Sequence, residues 1–250
     1  MTEIDIKPGW RALPCGIGTL TIIVFTGLLA LRAASMLGPS ALRPLFIVMC
    51  LLMVAVPWLL LSARGRGQIG LRRPVGAGWA WRAVAVGSAW AALGFGLGMG
   101  LFQTGPDNWY LSVARSYGGH PMPELSLWQL YLIFTIPACL FSPIGEEIFF
   151  RGYLQKLLER YGSRTTATHV QSSLFALVHL LHHGLLANSA GLVLLPLSGT
   201  LWMALMFGLS WSLAWLRART DSIYPAILGH AAFNATMNAF IFAFLYRNGV

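Results

Sequence analysis

The sequence predicts an all-α, polytopic membrane protein of about seven transmembrane helices. Three observations carry that reading. Of the 250 residues, 56% are apolar and only 10% are charged, against roughly 25% charged in an ordinary soluble domain. Uncharged runs of 20 residues or more recur along the chain, each long enough to cross about 30 Å of hydrocarbon as a helix. The basic residues, finally, gather between alternate runs, as the flanking charges of membrane spans do. The net charge of +9 has its simplest source there, so no nucleic-acid partner is expected.

The charges bracket the elements in order. Arg11 and Arg32 enclose 20 uncharged residues, Arg43 and Arg64 another 20, Arg82 and Asp107 24, and Glu124 and Glu146 21. Between Arg164 and Arg217 lie 52, interrupted near His182-His183-Gly184 and Asn188, which suits two spans; Asp221 and Arg247 enclose 25. The expected helices lie near 13–31, 45–62, 83–101, 126–150, 166–182, 191–215 and 223–245. The first run exceeds the 7–15 residues of a secretory signal's apolar region, so it is expected to stay as an anchor. In the third, Gly94, Gly96, Gly98 and Gly100 form interleaved GxxxG patterns that predict close helix packing. The loop of about 102–125 carries a turn at Gly118-Gly119-His120-Pro121. Cys15, Cys50 and Cys139 stand singly in apolar runs and are expected to pack rather than bridge or ligate.

Of the 17 Lys and Arg residues, 13 follow the even-numbered spans or precede the first. The other four are Arg32, Arg43, Arg115 and Arg247. The positive-inside rule then places the N-terminus in the cytoplasm. Composition suggests a prokaryotic inner membrane. The chain divides into three N-terminal spans (1–124) and a C-terminal half (125–250), one integral membrane domain overall.

Three polar clusters sit where apolar residues would be expected, and intramembrane charges ask for a reason. The first is Glu146-Glu147-Ile148-Phe149-Phe150-Arg151, the second Phe175 through His179, the third His230 through Asn234. Glu147 and Arg151 are four apart, on one helical face in the favoured acid-before-base order. Glu146 points about 100° away and is expected to be the freer carboxylate. A carboxylate among apolar side chains is a stronger base than one in water, which suits proton abstraction. His230 and Asn234 share a face, and both can donate hydrogen bonds. A pocket holding Glu146, His179, His230 and Asn234 would contain a base, an orienting group and donors for an oxyanion, the parts that amide hydrolysis needs. His182 lies at the end of the fifth span and reads as interfacial; His183, one turn beyond His179, flanks the site. His120 and His169 read as surface residues. No GxSxG surrounds Ser142 or Ser163, and no HExxH is present, so serine-hydrolase and zincin readings lack support.

These clusters, in this order, resemble the CAAX-protease and bacteriocin-processing family of intramembrane endopeptidases, whose pattern is EExxxR, FxxxH and HxxxN or HxxxD. Here they are Glu146-Glu147…Arg151, Phe175…His179 and His230…Asn234. Arg151-Gly152-Tyr153-Leu154-Gln155 and Ile69-Gly70-Leu71-Arg72-Arg73-Pro74 also look like the family. The resemblance covers about residues 125–240. It implies a catalytic core between helices 4, 5 and 7 that cleaves a membrane-associated protein or peptide. It further implies that Glu146 and His179 activate a water, that His230 and Asn234 stabilise the oxyanion, and that Glu147, Arg151 and Phe175 support them. A metal-free mechanism is favoured and no cofactor is expected. If zinc is used, Glu146, His179 and His230 would hold it. Two other readings remain open: an immunity or peptide-binding protein with the pocket but no cleavage, and an ion-coupled transporter. The latter would place matching polar half-sites in two repeated halves, whereas the polar residues here crowd into the C-terminal half.

Overall fold

A computed structural model describes residues 4–12, 14, 16–117, 125–188 and 191–246. A single helical turn α1 (Pro8–Arg11) precedes α2 (Gly16–Leu37), and a 3-10 turn at Ser40–Leu42 leads into α3 (Leu45–Leu60). Then come α4 (Ala63–Gln68), α5 (Trp79–Phe102), α6 (Trp109–Ser116) and α7 (Leu127–Glu146). Helix α7 continues as a π-helix over Glu147–Leu154 and ends in the turn α8 (Gln155–Leu158). After α9 (Arg164–Val178) come a 3-10 turn at His179–Leu181, the strands β1 (Leu185–Asn188) and β2 (Gly191–Leu194), and α10 (Pro196–Thr220). The last helix is α11 (Tyr224–Phe240), with a π-helical end at Ile241–Leu245. Lipid offers the backbone no hydrogen-bond partners, so helices that satisfy their own are the form such apolar runs must take.

Among the described residues, six helices are long and apolar enough to cross a membrane: Gly16–Leu37, Ser40–Leu60, Trp79–Phe102, Leu127–Leu158, Pro196–Thr220 and Tyr224–Leu245. The span expected at 166–182 is instead the 15-residue α9, about 22 Å long at 1.5 Å per residue. Its first ten residues include Arg164, three threonines, His169, Gln171 and two serines, so counting charges alone overstated its apolarity. It still runs antiparallel beside α10: Ser210 donates to Ser172 (2.9 Å), and Trp202 to the His179 carbonyl (3.1 Å). The span expected from 191 begins at Pro196, because 191–194 pairs with 185–188 as an antiparallel hairpin. The loop expected at 102–125 contains α6, whose Trp109 and Tyr110 are buried and donate to the Gly94 and Ala91 carbonyls of α5. The turn at 118–121, with His120, lies outside the described residues, as do Cys15 and Arg247.

Backbone contacts gather the basic loops at one end of the bundle. Ile6 bridges to Leu61, Ser62 donates to Asp5, the Ile223 amide to the Gly70 carbonyl, and Arg72 pairs with Asp221. Two of the supposed flanking charges, Arg32 and Arg151, are almost fully buried well inside helical segments. Helix α2 runs on to Leu37, which puts Arg32 inside the span, and Arg151 is buried in the π-helix.

Close packing depends on glycine where α5 meets α11. A β-carbon on Gly87 would lie 1.9 Å from the Gly229 carbonyl oxygen, so only hydrogen fits there. In the GxxxG patterns, Gly94 and Gly98 face Tyr110 and Trp109 of α6, whereas Gly96 and Gly100 have no neighbour within 4 Å. Gly87→Ala should therefore cost about 1–3 kcal/mol of stability through overpacking. Gly96→Ala should be close to neutral. Thermal unfolding of the two variants in detergent, side by side, checks this; equal midpoints would contradict it.

Candidate active site

The first motif is presented by a crossing and a change of helix type. At Gly145, α7 passes so close to α3 that a β-carbon would sit 2.6 Å from the Cys50 carbonyl oxygen. The next residue is Glu146, fixed at that crossing. From Glu147 the chain turns π-helical, with amides bonding five residues back, and all eight residues to Leu154 are buried. Such segments are uncommon and recur at functional sites. Here one places two adjacent carboxylates into two different clusters.

Around Glu146, Arg32 of α2 donates through Nη1 to Oε1 at 2.8 Å. Arg32 is 1% exposed and Glu146 0%. The second guanidinium nitrogen, Nη2, lies 3.1 Å from His182 Nδ1 and 3.3 Å from His179 Nε2. His179 Nδ1 is 2.6 Å from the Phe175 carbonyl, which can only accept. Nδ1 therefore carries the hydrogen, and neutral His179 turns an Nε2 lone pair toward Glu146. The distance from that nitrogen to Glu146 Oε2 is 3.8 Å, and Oε2 has no hydrogen-bond partner among the described residues.

Around Glu147, Oε1 is 3.0 Å from Arg151 Nη1 and accepts from His230 Nδ1 at 2.8 Å. The Arg151 guanidinium stacks 3.9 Å from the Phe175 ring centre, a cation–π contact in buried surroundings. The Phe175 ring also lies 4.3 Å from that of His179 and 6.0 Å from that of His230. Phe175 is thus the wall the two clusters share.

Of the residues expected at the site, Glu146 and His179 face each other, and Glu147, Arg151, Phe175 and His230 pack beside them. Asn234 takes another direction: it is half-buried and donates to the Ala138 carbonyl of α7 at 2.8 Å. His183 is pinned to Ser112 of α6 at 2.7 Å and packs against Trp109, a brace between α6 and the end of α9. Glu146 is not the freer carboxylate, because Arg32 pairs with it as Arg151 pairs with Glu147.

The arrangement does not suit the zinc ligand set. His230 is turned to Glu147, and a guanidinium already bridges Glu146 and His179. No three His, Cys, Asp or Glu side chains among the described residues group closely enough to hold an ion.

Residues 128–236 match the family model of the type II CAAX prenyl endopeptidase, Rce1-like. The match supports a likeness to the CAAX-protease family over this segment, a little under half of the chain. No curated protein and no solved structure matches the chain. The matched segment holds all three sequence motifs and runs from α7 into α11, leaving α2, α3 and α5 outside it. Two members of the cluster were missed by sequence reasoning. Arg32 looked like a flanking charge because it ends an uncharged run; the signal was the six further residues without another charge before Pro39. His182 looked interfacial, but it accepts from Arg32.

Glu147→Gln should destabilise the protein by about 3–5 kcal/mol, because it strands Arg151 at a site with no exposure. The fall should appear as a lower unfolding midpoint in detergent. Glu147→Gln combined with Arg151→Met should recover part of it; no recovery would mean the pair is not the source.

Proposed function

We propose that this chain is an intramembrane endopeptidase that hydrolyses a peptide bond of a membrane-associated protein or peptide with a water activated by Glu146 and His179. One observation carries the reading. Two lone-pair acceptors, Glu146 Oε2 and His179 Nε2, face each other 3.8 Å apart in a buried setting. A water at about 2.8 Å from each could donate to both, which orients its own lone pairs toward a carbonyl carbon. Attack would transfer one proton to Glu146, and Glu146 would return it to the departing amine as the C–N bond breaks. His179 is held for this by its bond to the Phe175 carbonyl and by packing on that ring. Of the pair that the family resemblance assigns to the oxyanion, Asn234 keeps one N–H beyond its bond to Ala138. His230 donates through Nδ1 to Glu147.

Glu146→Gln keeps the shape and cannot take a proton, so cleavage should fall by about 10²- to 10⁴-fold. The assay is cleavage of a membrane-tethered reporter peptide by purified protein in liposomes. Turnover near the wild-type rate would refute Glu146 as the base. In the same assay, o-phenanthroline or EDTA should leave the rate unchanged; loss on chelation and recovery with added zinc would refute the metal-free chemistry proposed here.

The basic end of the bundle is proposed to face the cytoplasm. With Arg32 and Arg151 recognised as internal, 12 basic residues stay on that side of the sequence map and three on the other, so the bias strengthens. A single cysteine placed in the 63–82 segment should react with a membrane-impermeant thiol reagent only after the cells are opened. Labelling in intact cells would reverse the orientation.

A further inference from the structure

We propose that Arg32 is a further electrophile of this site, a cationic donor to the oxygen of the scissile carbonyl. The inference rests on the hydrolytic reading above and names a residue from outside the matched segment. Three observations lead to it.

The first is surplus donor capacity. A guanidinium has five N–H groups in a planar fork. Arg32 directs Nη1 to Glu146 at 2.8 Å. Nη2 is shared between His182 at 3.1 Å and a long contact to His179 at 3.3 Å, and buried Nε has no partner among the described residues. One carboxylate interaction accounts for the charge; Nη2 lies against His179 and His182, and Nε is left without a partner among the described residues.

The second is the direction of the other candidates. His230 donates to Glu147 and Asn234 to the Ala138 carbonyl. Arg32 instead touches the base and both histidines of the Glu146 cluster.

The third is the division of labour on Glu146. Arg32 occupies Oε1, while Oε2 is unpartnered and faces His179 Nε2. A water on Oε2 and a carbonyl oxygen on Nη2 would then sit side by side, nucleophile and electrophile held by one ion pair. The carbonyl oxygen displaces the 3.3 Å contact to His179, freeing that nitrogen's lone pair for the water. As the water oxygen bonds to the carbonyl carbon, the C=O electron pair moves onto oxygen beside a full positive charge. The water's proton goes to Glu146 and then to the amine nitrogen as the tetrahedral intermediate collapses. A fixed cation in a site that excludes water stabilises such an oxyanion more than a neutral donor does. Packing holds the guanidinium in place: it lies over the Phe46 ring at 5.7 Å, and Ser35 binds the Arg32 carbonyl.

The test uses the full chain in liposomes with a fluorogenic peptide ending in a hydrophobic helix, and a phosphinic analogue of that peptide. Arg32→Lys keeps a cation beside Glu146 but loses the fork. It should keep its unfolding midpoint and KM within about threefold, lower kcat by about 10²- to 10³-fold, and weaken the phosphinic analogue by the same factor as kcat/KM. A residue that merely neutralises or orients Glu146 would not move the analogue's affinity, so an unchanged inhibition constant overturns the proposal, as does a near-normal kcat. Should Arg32→Lys fail to fold, Arg32→Ala supplied with guanidinium at tens of millimolar should regain turnover in proportion to concentration; no gain overturns the proposal. If both variants fail to assemble in the membrane, Arg32 is structural and the proposal falls. A wild type that cleaves while Arg32→Lys is unaffected removes this proposal alone. A wild type that neither cleaves the peptide nor binds the analogue removes the protease reading and this proposal with it.

Discussion

Two adjacent glutamates buried in a bilayer cannot both stay charged unless something compensates each of them, and the bundle is arranged around that requirement. Coulomb repulsion between neighbours is strong where water is scarce, and an unpaired intramembrane charge is expensive. Arg151 answers Glu147 from one helical turn away, and Arg32 answers Glu146 from a different helix. The first pair is local to the π-helix. The second forces α2 against the motif, and His179 and His182 pack on the same guanidinium. Helix placement at the site follows from these two neutralisations together with the glycine crossings that let backbones approach.

The π-helical turn serves the same end. Its wider winding keeps Glu147, Arg151 and the aromatic residues between them all buried, with Phe149 and Phe150 packed against Phe25 of α2. An aromatic layer therefore encloses the ion pairs on the side of the first helix. Phe175 does so on the side of α9, touching Arg151, His179 and His230 at once. In such surroundings each hydrogen bond is stronger than it would be in water, and each misplaced donor more costly.

Much of this was legible in the sequence because its signals are local. Charge-free runs gave the six long helices, with α3 and α11 placed within a few residues. The spacing of Glu147 and Arg151 gave their pairing, since four residues make one helical turn. What was not legible depended on distance in the chain or on polar residues without charge. Nothing near Arg32 in the sequence shows that its partner lies 114 residues away. The threonines and serines of α9 escaped a rule that counted only ionic groups. The hairpin of Leu185–Asn188 and Gly191–Leu194 was hidden in an apolar stretch that helix and strand periods describe equally well. The direction of Asn234 is a rotamer, decided by the Ala138 carbonyl of a neighbouring helix rather than by position along α11.

The long reach of the Arg32–Glu146 pair also bears on how such a chain is made. An arginine in the middle of a membrane helix costs about 2.5–3.5 kcal/mol on insertion scales, and α2 is synthesised well before α7 exists. Until Glu146 emerges, Arg32 has neither that carboxylate nor the histidines of α9 to bind. The apolar remainder of α2 is what can carry it into the bilayer in the interval, with the guanidinium drawn toward the headgroups. Its final depth is set only when the fourth long helix arrives. Because Arg32 and Glu146 are partners, α2 reaches its native depth no earlier than α7 joins it, and Glu146 acquires its cation in that same step.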